Sequence, residues 1–105
     1  MSYSISIPRG LRCFYQGSLA VEGTSVGLPA AALAVPNGRD IEIQLGVETN
    51  DVRYQLDGSD ASATSMPLRA DGYLRLPGMD ACSKLRLIQN SAAATVRIQS
   101  FCMPL

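Results

Sequence analysis

The sequence predicts an all-β fold, a single-domain antiparallel β-sandwich or jelly roll of about seven to eight short strands. Residues 41–58 alternate apolar and polar side chains in two runs that a polar turn separates. Turn residues recur at short intervals along the rest of the chain, and no segment has the long helical period that connects parallel strands. These observations favour two layers of strands around one core.

Residues 1–15 are predicted to form a strand or an extended arm. Residues 16–105 are predicted to form the sandwich domain. Tyr3, Ile5 and Ile7 alternate with serines, which is the pattern of an extended strand with one apolar face. Such an arm can pair with a neighbouring molecule. The 105 residues are enough for one domain with a real core.

The next segment predicts short extended runs that turns interrupt. Residues 11–22 are expected to form a small hairpin, because Gly17 and Gly23 can adopt the positive φ of a turn. A single helical turn is predicted to start at Pro29, whose fixed φ suits the first turn of a helix. Residues 36–38, Pro-Asn-Gly, predict a turn into the following strand.

Residues 41–58 predict a β-hairpin with one buried face and one face in water. The side chains expected in the core are Ile41, Ile43, Leu45 and Val47 in the first strand, and Val52, Tyr54 and Leu56 in the second. The side chains expected in water are Glu42, Gln44, Arg53 and Gln55. This pattern is typical of an antiparallel sheet that packs on a single core.

The remaining residues predict a loop followed by three strands. Residues 59–65 are small and polar, which indicates an exposed loop with no anchor in the core. Residues 73–76 predict a strand, and residues 79–83 predict a turn that returns the chain. Residues 84–89 and 95–101 predict two further strands.

The composition argues against several classes of function. Nine basic and nine acidic residues give a net charge of zero, so we expect neither nucleic acid nor a membrane as partner. Histidine and nucleophilic serine motifs are both absent, so we expect no enzyme, no catalytic residue and no cofactor. Residues 57–60, Asp-Gly-Ser-Asp, lack the other ligands of a calcium loop and predict a turn instead of a metal site.

Three cysteines, Cys13, Cys82 and Cys102, stand at long and irregular spacings. We expect buried or partly buried free thiols, as in a protein made in a reducing cytoplasm, and one bridge between Cys82 and Cys102 is the alternative. The first residues lack the pattern of a secretion signal, and no apolar run has the roughly 20 residues that cross a bilayer. A soluble product that is not exported by itself is therefore expected.

Five short segments of the chain carry a resemblance to a known family: VRYQLDGSDASA at 52–63, MPL at 66–68, DGYL at 71–74, LRLI at 85–88 and TSVGL at 24–28. In these segments the chain resembles small virion proteins of tailed bacteriophages and prophages. The family pattern runs from VRY-x-x-DG to Pro-Thr, where this chain has Ala61 and Ser62. The resemblance covers the chain from residue 24 to residue 101.

The resemblance implies a head-decoration or cement protein, or another small structural component of the particle, with an all-β sandwich or jelly-roll fold. It also implies synthesis in the host cytoplasm, a place on the capsid surface, and the major capsid protein or another virion protein as partner. Assembly as a trimer or dimer suits a symmetric lattice. A ligand- or carbohydrate-binding module of a phage tail or fibre is the alternative. The candidate contact residues are Tyr3, Ile5, Ile7, Ser59, Asp60, Ser62, Thr64 and Met66.

Overall fold

The computed structural model describes residues 12–36 and 40–102, in which seven strands and two short helices form. They are β1 (Arg12–Val21), α1 (Ala30–Leu33), β2 (Ile41–Val47), β3 (Val52–Gln55), β4 (Met66–Leu68), β5 (Tyr73–Pro77), α2 (Met79–Lys84), β6 (Arg86–Gln89) and β7 (Ala94–Cys102). The strands form a four-stranded antiparallel sheet in the order β1-β7-β2-β5 and a three-stranded antiparallel sheet in the order β4-β3-β6. The predicted all-β, two-sheet fold is confirmed.

One apolar core lies between the two sheets, and strand alternation explains which residues enter it. The apolar side chains of β2 are buried, as predicted, and so are Val96 and Ile98 of β7. Val52 of β3 and Leu87 of β6 supply the facing layer. The core thus combines residues from strands that are distant in sequence.

The predicted hairpin over residues 11–22 is wrong, because this segment forms one strand of ten residues, β1. Gly17 is in the middle of β1 and pairs with Ile98, so it does not form a turn. A Cβ at position 17 would lie 2.5 Å from the hydroxyl of Tyr15, so any other residue there would require the Tyr15 side chain to move. The irregular point of β1 is a bulge at Phe14, where the register with β7 shifts.

The predicted hairpin over residues 41–58 is correct in its two strands and wrong in their pairing. β2 pairs with β5 and β7 in the four-stranded sheet, whereas β3 pairs with β4 and β6 in the three-stranded sheet. The connection between β2 and β3 is therefore an arch that carries the chain from one sheet to the other.

The arch over residues 48–51 is held by hydrogen bonds to residues that are distant in sequence. The Glu48 amide donates to the carbonyl of Thr95 at 2.8 Å, and the Asn50 side chain donates to the carbonyl of Ala93 at 2.8 Å. The carboxylate of Asp51 accepts from the amide of Ala70 at 2.8 Å. These distant partners satisfy the polar groups of the arch, so a tight hairpin turn is not needed.

Short helices and a short strand occupy positions near the predicted turns. The predicted helical turn at Pro29 is confirmed, since Pro29 is the N-cap of α1. The predicted turn over residues 79–83 is instead the six-residue helix α2, which begins after Gly78 and contains an ion pair of 3.1 Å between Asp80 and Lys84. The edge strand β4, which has three residues with Pro67 at its centre, was not predicted from the sequence. The predicted turn at residues 36–38 reaches beyond the described residues, which exclude 37–39.

Candidate contact surface

The candidate surface is the loop between β3 and β4, residues 56–65, together with Met66 at the start of β4. It starts with a tight turn, in which Gly58 has a φ of 87° that favours glycine. The carboxylate of Asp57 accepts hydrogen bonds from the hydroxyl and the amide of Ser59, which hold the pKa of Asp57 below its usual value. The predicted Asp-Gly turn is therefore confirmed.

Arg86 of β6 ties the middle of this loop to the segment after β1. Its guanidinium donates to the carboxylate of Asp60 at 3.1 Å, and to the hydroxyl and carbonyl of Ser25 at 3.2 and 3.0 Å. The hydroxyl of Ser25 also accepts from the amide of Ala61 at 3.0 Å. One planar, multidentate cation thus joins three segments that are far apart in sequence.

Ser65 closes the end of the loop and is buried. Its hydroxyl donates to the Gln55 side chain at 2.8 Å and accepts from the amide of Ser62 at 2.9 Å. The carbonyl of Ser65 accepts from the guanidinium of Arg53 at 2.8 Å. Ala61 is buried as well, so the prediction that residues 59–65 form an exposed loop without an anchor in the core is wrong at Ala61 and Ser65 and correct for the other five residues. The physical reason is that the side chains of Ala61 and Ser65 are small enough to be buried where hydrogen bonds hold the backbone of the loop against the protein.

The predicted contact residues of this loop are all exposed, and the buried Ala61 and Ser65 lie between them. The exposed members are Ser59, Asp60, Ser62, Thr64 and Met66. Met66 is 61% exposed, the largest value among the bulky apolar residues of the described chain. The other predicted contacts, Tyr3, Ile5 and Ile7, lie outside the described residues.

Leu56 belongs to this surface and corrects the prediction that it is in the core. It follows the end of β3 and is 43% exposed. The strand alternation that buries Val52 ends at Gln55, because the turn at Asp57 and Gly58 bends the chain away from the sheet. The adjacent Asp-Gly sequence is the signal that could have identified Leu56 as exposed.

A second polar cluster lies on the face of the four-stranded sheet that points away from the core. Glu42 and Gln44 were expected in water, but they are 8% and 5% exposed. β2 is a central strand, so each of these positions has a residue of β5 on one side and a residue of β7 on the other. The arginine Arg75 lies 2.8 Å from the carboxylate of Glu42, and Tyr73 donates its hydroxyl proton to Gln44.

Protonation of Glu42 is expected to destabilise the protein at low pH. Burial raises the pKa of Glu42, but hydrogen bonds from Arg75 and Gln44 and the charge of Arg75 lower it further than burial raises it, so the net pKa falls below 4.5. The ionised carboxylate stabilises the fold fully at pH values above the pKa that Glu42 has in the unfolded state. This stabilisation is lost as the pH falls through the lower pKa of Glu42 in the folded state. Urea unfolding of the wild type and of Glu42→Gln should therefore differ more at pH 6 than at pH 3. An equal difference at both pH values would contradict the role of the ionised carboxylate.

The three cysteines are free thiols, and the alternative of a bridge between Cys82 and Cys102 is wrong. Cys82 and Cys102 are buried, whereas Cys13 is exposed, contrary to the expected burial. Burial raises the pKa of Cys82 to about 11, so its thiol stays protonated at neutral pH and donates to the carbonyl of Leu76 at 3.3 Å.

A thiol titration with a disulfide reagent at neutral pH checks this arrangement. We expect Cys13 to react at once in the native protein, and the two buried thiols to react only after denaturation in urea. Cys13→Ser is the control, since it should abolish the fast phase. Rapid reaction of a second thiol in native protein would disagree with the burial of Cys82 and Cys102.

Within residues 12–36 and 40–102, no group of three or more His, Cys, Asp or Glu side chains could hold a metal ion. None of the helices in the described part combines the length and the apolar character needed to span a bilayer. No protein-family model matches this chain, and no curated protein matches it either.

Proposed function

We propose that this protein is a structural component of a tailed-phage or prophage particle, a decoration or cement protein that binds the major capsid protein on the capsid surface. The observation that carries the proposal is the loop of residues 56–66, which is exposed but fixed at both ends and in its middle. The resemblance of residues 24–101 to small virion proteins supports it.

A fixed loop suits binding by protein contacts. A loop that is already ordered loses little conformational freedom on binding, so more of the contact energy appears as affinity. Arg86 and Ser65 provide this order through hydrogen bonds to Asp60 and Ser62. A capsid offers many equivalent binding positions, so the same weak contact can form at each of them. Where several subunits are linked, avidity makes their combined binding stronger than one contact alone.

The chemistry of the loop also suits a protein partner. Met66 and Leu56 are apolar and exposed, and Ser62, Thr64 and Asp60 supply polar groups in the same stretch. Apolar contacts next to polar groups are typical of protein interfaces, and the flexible thioether of methionine adapts to the shape of a partner.

The proposal is tested by mixing purified protein with capsids that lack it, followed by sedimentation and heat treatment. We expect co-sedimentation and greater heat resistance of the capsids. Met66→Asp should weaken binding at least about tenfold, because it places a charge where apolar contact forms. Met79→Asp is the matched control outside the loop, since Met79 is also exposed. Absence of both co-sedimentation and heat protection would refute the proposal.

A carbohydrate-binding module of a phage tail or fibre is the second candidate, and one observation favours it. Tyr73 is 52% exposed and lies next to the polar cluster of Gln44, Glu42 and Arg75. An aromatic face beside hydrogen-bonding groups can bind a sugar. Hits on a glycan array that disappear in Tyr73→Ala would favour this candidate over capsid binding.

A further inference from the structure

The open edge of β1 differs from the other three sheet edges in the described chain. An edge strand presents unpaired backbone groups that can pair with another chain, and proteins protect such edges with proline, short strands or covering segments. β4 has three residues with Pro67 at its centre, and β5 has five residues and ends at Pro77. β6 is covered at Leu87 by Val26, through two backbone hydrogen bonds of 2.9 and 2.7 Å.

β1 has little of this protection. It is ten residues long, it contains neither proline nor lysine, and within the described residues it pairs with β7 alone. The bulge at Phe14 interrupts its start, but the register from Tyr15 to Val21 is regular. β1 therefore offers regular backbone from Tyr15 to Val21, of which the five residues from Tyr15 to Leu19 are centred on Gly17.

We propose that β1 pairs with β1 of a second copy in antiparallel orientation around a two-fold axis at Gly17, which joins two four-stranded sheets into one. This register places Tyr15 of each copy opposite Leu19 of the other, on the face that points to the core. Both side chains are half-buried and pack against the core of their own chain. The partner would cover their remaining exposed surface, and cross-strand pairs of aromatic and aliphatic side chains stabilise a sheet.

The charges at the two ends of β1 favour a second copy of this chain as the partner of β1, and they favour the antiparallel orientation. Arg12 starts the strand and Glu22 directly follows it, and both side chains are exposed. Neither side chain has a hydrogen-bond or ion-pair partner in the described part of the chain. Antiparallel pairing brings Arg12 of each copy alongside Glu22 of the other, so the dimer gains two pairs of opposite charge. Parallel pairing would place like charges together.

The inference goes beyond the proposed function and is independent of it, because dimerisation is measured on the isolated protein without capsids. Sedimentation equilibrium over a concentration series should show a reversible shift from 11.2 kDa to twice that mass. The interface is small, so we expect a dissociation constant in the micromolar range. A single species of monomer mass at all concentrations would overturn the inference.

Charge reversal tests the orientation. Arg12→Glu and Glu22→Arg should each raise the dissociation constant about tenfold, since each replaces two attractions by two repulsions. The double reversal should restore the wild-type value. Arg69→Glu, which makes the same charge change in the turn before β5, is the control and should leave the dimer unchanged. Equal dimerisation of all variants would overturn the inference.

Cysteine cross-linking tests the register with different variants. In the proposed register Gln16 of one copy lies opposite Ser18 of the other, at a separation that a disulfide can span. In a Cys13→Ser background, a mixture of Gln16→Cys and Ser18→Cys proteins should form a disulfide-linked dimer on mild oxidation. Each variant alone should form far less. Cross-linking that is no greater in the mixture than in the separate variants would contradict the two-fold axis at Gly17.

Discussion

Replacement of Ile43 by alanine is expected to lower the free energy of unfolding by about 3 kcal/mol. Ile43 is 0% exposed in the middle of β2, where it lies between Leu76 of β5 and Ser100 of β7. Its removal loses apolar burial and leaves a cavity between two sheets that cannot collapse freely, because strand pairing fixes both of them. Urea unfolding monitored by circular dichroism measures the change.

Ile88→Ala is the matched control, since it removes the same atoms from the opposite side of a sheet. Ile88 is half-buried on β6 and lies next to Arg53, on the face that points away from the core. We expect a loss of about 1 kcal/mol for this variant. Equal losses for the two variants would contradict the assignment of the buried face.

Replacement of Arg86 by alanine is expected to release the loop of residues 56–65 while the sandwich stays folded. The change removes the hydrogen bonds to Asp60 and Ser25 and leaves Ser25 alone to hold the amide of Ala61. We expect amide hydrogen exchange in residues 59–62 to accelerate at least about tenfold, and the unfolding free energy to fall by about 2 kcal/mol. Hydrogen exchange with mass spectrometry measures the first effect.

Two further variants separate the role of Arg86 in the loop from a general effect of lost charge. Arg97→Ala removes an arginine that forms a two-bond pair with Glu48, at 2.8 and 3.2 Å, far from the loop in sequence. It should leave exchange in residues 59–62 unchanged. Arg86→Lys keeps the charge without the planar fork and should restore only part of the protection. If amide exchange in residues 59–62 stays slow in Arg86→Ala, Arg86 does not provide the order of the loop. If capsid binding occurs, it should weaken in parallel with the loss of protection.

Part of the contact surface could be predicted because its signals are local. The Asp-Gly turn and the small polar residues after it predict an exposed loop, and the structure places Ser59 to Thr64 there except for the buried Ala61. The order of this loop could not be predicted, since it depends on Arg86, which bonds to Ser25 across 61 residues of sequence. No local pattern specifies such a partner.

The sequence by itself determined where most strands lie and which of their side chains enter the core, because strand alternation is a property of consecutive residues. Ile43 and Val52 are examples, and both are completely buried. Only the tertiary structure decided that β2 and β3 belong to different sheets, and that Glu42 is buried on a central strand. The physical reason is that alternation is the same in a hairpin and in an arch. The choice between them depends on hydrogen bonds of residues 48–51 to residues that are distant in the chain.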